Sequence, residues 1–149
     1  MTSTLPHLLK SRAFGLYRVN GEGAGAAVSA LCRIRHIDLI CISGQRVRTK
    51  GRFLTVVGKA LNLPRWFGLN WDALADSLTD FPWQQHSTHV FLLSDFAAFA
   101  RNAPLDFAAA LAVLEDAALF WAHRDVRLLI LIESNSLPHS IRLADVGLR

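Results

Sequence analysis

Two aspartates four residues apart, Asp72 and Asp76, stand in the stretch LNLPRWFGLNWDALADSL, Leu61 to Leu78. An aromatic pair, Trp66 and Phe67, and a glycine, Gly68, precede them. Paired carboxylates can carry acid–base catalysis, or they can present negative charge to a cationic partner. Advancing a helix by about 100° per residue places Trp71, Leu74, Ala75 and Leu78 within about 60° of one direction. Asp72, Asp76 and Asp80 fall at about 100°, 140° and 180°, a separate acidic stripe. Like charges four residues apart weaken a helix by a few tenths of a kcal/mol. The N-terminal dipole favours Asp72 but fades before Asp76 and Asp80. No Lys or Arg lies between Arg65 and Arg101 to offset the stripe locally. A convex helix face excludes water poorly, and no Ser/His/Asp or Cys/His arrangement accompanies the pair. The stripe therefore suits recognition, and the chain is expected to have no turnover of its own.

Other residues with chemical potential carry less. His86 and His89 sit in the turn-like QQHSTH with no Cys or carboxylate cluster beside them, so no metal site is expected. Cys32 and Cys41 lack C-x-x-C spacing and read as reduced thiols. Gly21, Gly23 and Ala26 match G-x-G-x-x-A between a predicted strand and a predicted helix, the setting of a dinucleotide fingerprint. The acidic residue such a site needs after the next strand is missing, since CISGQRVR supplies only Arg46 and Arg48. A glycine-rich turn is the preferred reading, and no cofactor is expected. Arg46, Arg48, Lys50 and Arg52 alternate along one segment and give an alternative reading as an RNA-binding surface, which solvated arginines explain as easily.

These residues must be positioned by a chain of 149 residues, long enough to bury roughly 70% of its unfolded surface in one core. At 52% hydrophobic and 19% charged its composition is globular. No apolar run reaches the ~18 residues of a membrane span, and no signal peptide is evident, so a cytoplasmic protein without membrane contact is expected. The net charge of +4 conceals an asymmetry. Residues 1–61 hold ten Lys/Arg against two Asp/Glu, whereas 62–119 hold two against seven. The stripe lies in the acidic half, and local fields matter more to a partner than the total.

Strand-like runs at Phe14–Val19, Ile37–Ser43, His89–Ser94 and Val126–Ile132 alternate with helical patterns. The helices are predicted over Gly25–His36, from a Thr49 cap to Leu61, over Trp71–Leu78 after an Asn70 cap, over Phe96–Arg101, and from about Asp106 to His123. The alternation predicts one α/β domain over 1–149, with a small, mostly parallel sheet of three to four strands covered by helices. Residues 133–149 show weak periodicity and are expected to pack loosely.

The stretch from Leu61 to Leu78 resembles the signature of the barstar family, intracellular inhibitors of secreted ribonucleases of the barnase type. Pro64, Trp66, Phe67, Gly68, Asn70, Asp72, Ala73, Leu74, Asp76 and Leu78 carry the likeness. It extends more weakly over residues 37–132 as a barstar-like core, leaving 1–36 as an N-terminal βα addition, with an edge strand expected, and 133–149 as a tail. The resemblance implies an acidic helix that enters a ribonuclease's cationic cleft and excludes RNA. Carried over by motif, Asp76 goes deepest with Asp72 beside it, Trp66, Phe67 and Gly68 cover the cleft, and Asn70 caps the helix. A further acidic contact falls on Asp116, or on Glu115 if the alignment slips by one. The implied partner is an extracellular-type ribonuclease or a related toxin, with nucleic acid not expected. Ala75 stands where members often carry a large side chain, and Ser77 replaces a frequent cysteine. Both departures, with the net positive charge, point toward a toxin other than barnase itself.

Overall fold

The computed structural model describes residues 3–64, 67–80 and 88–149. Its strands are β1 (Ser3–Thr4), β2 (Gly15–Val19), β3 (Asp38–Ser43), β4 (Thr88–Ser94), β5 (Arg127–Glu133) and β6 (Ala144–Gly147). Its helices are α1 (Leu5–Lys10), α2 (Ala24–Ile34), α3 (Lys50–Ala60), α4 (Trp71–Thr79), α5 (Ala97–Asn102) and α6 (Pro104–Ala122), with a 3-10 turn at Ser134–Ser136. All six strands are parallel, in the order β1-β6-β2-β5-β4-β3.

The sequence predicts three to four strands; the sheet has six. Each of the four predicted runs is a strand, and β1 and β6 are the additions. β1 has two residues, and in β6 only Val146 is buried, so neither carries a hydrophobic pattern of its own. Both exist through pairing with neighbours. The position of β2 also differs from expectation. It lies inside the sheet between β5 and β6, because the tail expected to pack loosely returns to pair along its other side.

The strands alternate their side chains between two apolar clusters, as a buried parallel sheet requires. Phe91, Leu93, Leu128, Ile130 and Ile132 join one face with Phe53, Leu54, Leu74, Leu78, Phe99, Phe107 and Leu114 of α3 to α6. Val90, Leu92, Leu129 and Leu131 join the other face with Leu5, Leu8 and Leu9 of α1 and Val28 and Cys32 of α2. Stacked and edge-on rings of Phe53, Phe96, Phe99 and Phe107, with centroids 5.3 to 5.8 Å apart, consolidate the first cluster. Arg127 ties the N-terminal segment to β5: its guanidinium donates to the carbonyls of Leu8, Leu9 and Ala13 at 3.0, 3.2 and 2.8 Å. These carbonyls include the last acceptors of α1, which lack partners within the helix.

Candidate functional site

The acidic helix is delivered by two sharp chain reversals. Thr49 caps α3 through its hydroxyl, which accepts from the Arg52 N–H at 3.2 Å. The same helix ends with Asn62 in the left-handed region, φ 55°, while the Leu63 N–H bonds back to the Gly58 carbonyl at 2.8 Å. Pro64 follows and prevents continuation. The returning loop then seats Phe67 against α3 at Gly58, where an added methyl would stand 3.2 Å from the ring. Asn70 restarts the helix: its Oδ1 accepts from the Ala73 N–H at 2.7 Å, and its own N–H donates to the Gly68 carbonyl at 2.9 Å.

Helix α4 buries Leu74 and Leu78 and half-buries Trp71, whose ring lies 5.9 Å from that of Phe53. Its far end is fixed to α6 by the Trp121 indole N–H, which donates to the Leu78 carbonyl at 2.8 Å. The helix thus has one anchored side, and the opposite side carries Asp72, Asp76 and Asp80, all three exposed. None of these carboxylates makes an ion pair with a described residue. The last turn contains no basic residue, and Asp80 occupies the C-cap, where the helix dipole disfavours an anion.

The other residues singled out by sequence divide as follows. Gly68 and Asn70 are exposed beside Asp72, Phe67 is half-buried, and Trp66 lies outside the described residues. Ala75 and Ser77 are half-buried on α4. Asp116 is exposed on α6, the helix that packs against α4. Glu115 lines a groove with Phe14 to Tyr17 and Leu119, on the β2 side of that helix. Trp121, which touches α4, lies about 120° from Glu115 and about 140° from Asp116 around α6 by helical geometry, so neither acidic residue shares its flank.

Two features escape sequence patterning. Leu69 is 55% exposed, between Gly68 and the cap. It borders a groove of about 270 Å³ with Phe67, Thr55 and Lys59 of α3. The Lys50 ammonium stands 5.4 Å from the Trp71 ring centroid, a cation–π contact that places positive charge at the start of the acidic helix. The exposure of Leu69 follows from the turn that precedes the Asn70 cap, and the Lys50 contact depends on α3 and α4 starting side by side.

A family model described as Barstar (barnase inhibitor) matches residues 37–133, well over half of the chain. The chain belongs to the barstar family. Residues 1–36 precede the matched segment as an N-terminal extension, and the last residues, including β6, follow it. None of the curated proteins matches the chain. Members of this family are inhibitors rather than enzymes, and the acidic helix with its preceding loop lies wholly inside the matched segment. Among the described residues, no group of His, Cys, Asp and Glu could hold a metal ion, and no helix is long and apolar enough to cross a membrane.

The glycine-rich turn before α2 is similarly defined. Gly21 and Gly23 take φ of 117° and 75°, conformations that favour glycine. A methyl group at Gly25 would come within 3.0 Å of Glu133 Oε1, so a carboxylate of the chain itself stands at the start of this helix. Burial and the neighbouring Asp95 hold the Glu133 pKa above the usual carboxylate value. A pyrophosphate would meet that negative charge at the position where the dinucleotide reading needs an open helix end.

Proposed function

We propose that this barstar-family protein is an inhibitor that docks α4 and its preceding loop into the cationic active site of a ribonuclease or a related toxin. The observation that carries the reading is the exposed carboxylate stripe of Asp72 and Asp76, without an ion pair to any described residue, beside the exposed Gly68–Leu69–Asn70 turn. Like charges four residues apart on an otherwise firmly anchored helix repel one another in the free protein, and the same charges become favourable opposite a cationic surface. In this reading Asp76 takes the deepest position and Asp72 the one beside it, and Trp66, Phe67 and Gly68 cover the cleft. Asn70 fixes the start of the helix, and Asp116 contributes from α6. The half-buried Ala75 leaves less contact area beside Asp76 than a large side chain would, which favours a toxin with a correspondingly fuller cleft wall.

The inhibitor has no turnover of its own and acts as an immunity-type protein in the cytoplasm, where a ribonuclease would otherwise destroy the cell's RNA. Suppression of RNA cleavage tests it directly. Adding the protein to a barnase-type ribonuclease, or to a toxin ribonuclease from the same source, should abolish cleavage at one-to-one stoichiometry. If cleavage continues unchanged while the protein itself shifts RNA in a salt-dependent gel assay, the basic segment from Arg46 to Arg52 is the functional surface instead.

A further inference from the structure

A cavity of about 510 Å³ opens beside the carboxyl ends of β2 and β5, and among the described residues none of α4 or of the loop before it lines this space. Its position follows from the chain path. After β2 the chain turns into α2, which packs on the face formed by Val90, Leu92, Leu129 and Leu131. After the neighbouring β5 it turns to the opposite face, where Leu137, Ile141 and Leu143 pack. Two adjacent parallel strands whose connections leave to opposite faces open a crevice between them, and such switch points are where open α/β sheets hold ligands.

The crevice is lined by Arg18, Asn20, Ser134, Asn135, His139 and Asp145, with Leu137. Arg18 projects from β2, inside the sheet, and is half-buried. One of its guanidinium nitrogens, Nη2, donates to the Ile141 carbonyl at 2.7 Å and to the Pro138 carbonyl at 3.3 Å, which pins the 137–143 segment in place. Its Nε is buried without a hydrogen-bond partner, and the side chain forms no ion pair with a described residue. The enclosed Nε cannot meet a ligand, but Nη1 makes no hydrogen bond with a described residue and is not enclosed, so it is the donor open to an anionic oxygen, and charge-assisted bonds are the strong ones. Asp145 is already engaged on one side, its Oδ1 accepting from the Asn20 amide at 2.9 Å. Its remaining acceptor capacity, with Ser134 and Asn135, suits hydroxyl groups rather than a second charge.

We propose that this crevice binds a small hydroxylated anion, with a carboxylate or phosphate group toward Arg18 and hydroxyls toward Ser134, Asn135 and Asp145. The site is separate from the acidic helix and does not depend on the inhibitor reading. Glycerate and glycerol 3-phosphate test it, since they present the two anionic groups on similar hydroxylated frames. Each is titrated into the isotope-labelled protein at constant ionic strength, and backbone amide shifts are followed by NMR. Saturable shifts at Asn20, Ser134, Asn135 and His139 are expected with at least one probe, and the probe that saturates identifies the anionic group. Arg18→Gln should weaken that binding at least ~10-fold. Because Arg18 also pins the 137–143 segment, Ser134→Ala serves as a second variant that leaves the segment's contacts intact, and it should weaken binding by a smaller factor. Absence of saturable shifts with both probes up to about 10 mM would overturn the proposal. Shifts of unchanged affinity in Ser134→Ala and Arg18→Gln would do the same.

Discussion

Asp80 carries the acidic stripe past the point where a helix accepts it. At the N-terminus of α4 Asp72 meets the positive end of the dipole, but at the C-cap Asp80 meets the negative end with no basic residue in the last turn. Asp80→Asn should raise stability by ~0.3–1 kcal/mol, read as a higher melting temperature. It should leave partner binding almost unchanged, because Asp80 sits at the end of the stripe farthest from the Gly68–Asn70 turn. The two thiols give a second residue-scale prediction. Cys41 is exposed, whereas burial, with Cys41 nearby, pushes the Cys32 thiol up to about 11. A thiol-reactive dye at mildly alkaline pH should label one cysteine quickly and the second only on unfolding. Two fast phases would show that α2 does not cover Cys32 as described.

The helices and the sheet were legible to different degrees, for different physical reasons. The ends of α3 and α4 are written locally: Thr49 and Asn70 cap through their own side chains, and Asn62 with Pro64 stops the chain. Asn70→Ala should therefore cost ~1 kcal/mol, with a fall in melting temperature, by removing the bond to the Ala73 N–H. The cap also sets the direction in which Asp72 points, so the same substitution should weaken partner binding. Equal stability of the variant would mean that Asn70 is not the functional cap. Helix α1 was not among the predicted helices, although Thr4 as cap, Pro6 in the first turn and Leu5, Leu8 and Leu9 at helical spacing form a local signature. Strand β6 had none, since a four-residue segment with one buried side chain gains its structure only from pairing with β1 and β2. Strand order is non-local for the same reason. Nothing within Gly15–Val19 distinguishes an edge strand from an interior one, and the partner that makes it interior lies more than a hundred residues later.

At the scale of the molecule, the N-terminal extension supplies interior structure, with β2 joining β5 to β6 and α1 and α2 covering one face of the sheet. The Arg127 guanidinium fixes this arrangement through three carbonyls of the α1 end and the following turn. Arg127→Ala should cost at least ~2 kcal/mol, since three charge-assisted bonds are lost and the partly buried Leu9 and Ala13 carbonyls lose the guanidinium donor that holds them. It should do so without touching the acidic face, so any folded fraction should bind its partner normally. The candidate site shows the same division. Asp72, Asp76 and Asn70 were readable because helix periodicity and cap chemistry are local, but the Lys50–Trp71 contact and the choice of α6 as the neighbour of α4 arise from packing. What unites the scales is a stripe of exposed carboxylates on a helix anchored along its other side, the feature on which the proposed inhibitory role rests. The most direct test replaces one carboxylate and reads two quantities. Asp76→Ala should weaken binding to an inhibited ribonuclease by ~2–5 kcal/mol, mainly through faster dissociation. The melting temperature of the free variant should stay constant or rise slightly as the Asp72–Asp76 repulsion is relieved. Unchanged affinity for a ribonuclease that the wild-type protein inhibits would contradict the assignment of α4 as the inhibitory element.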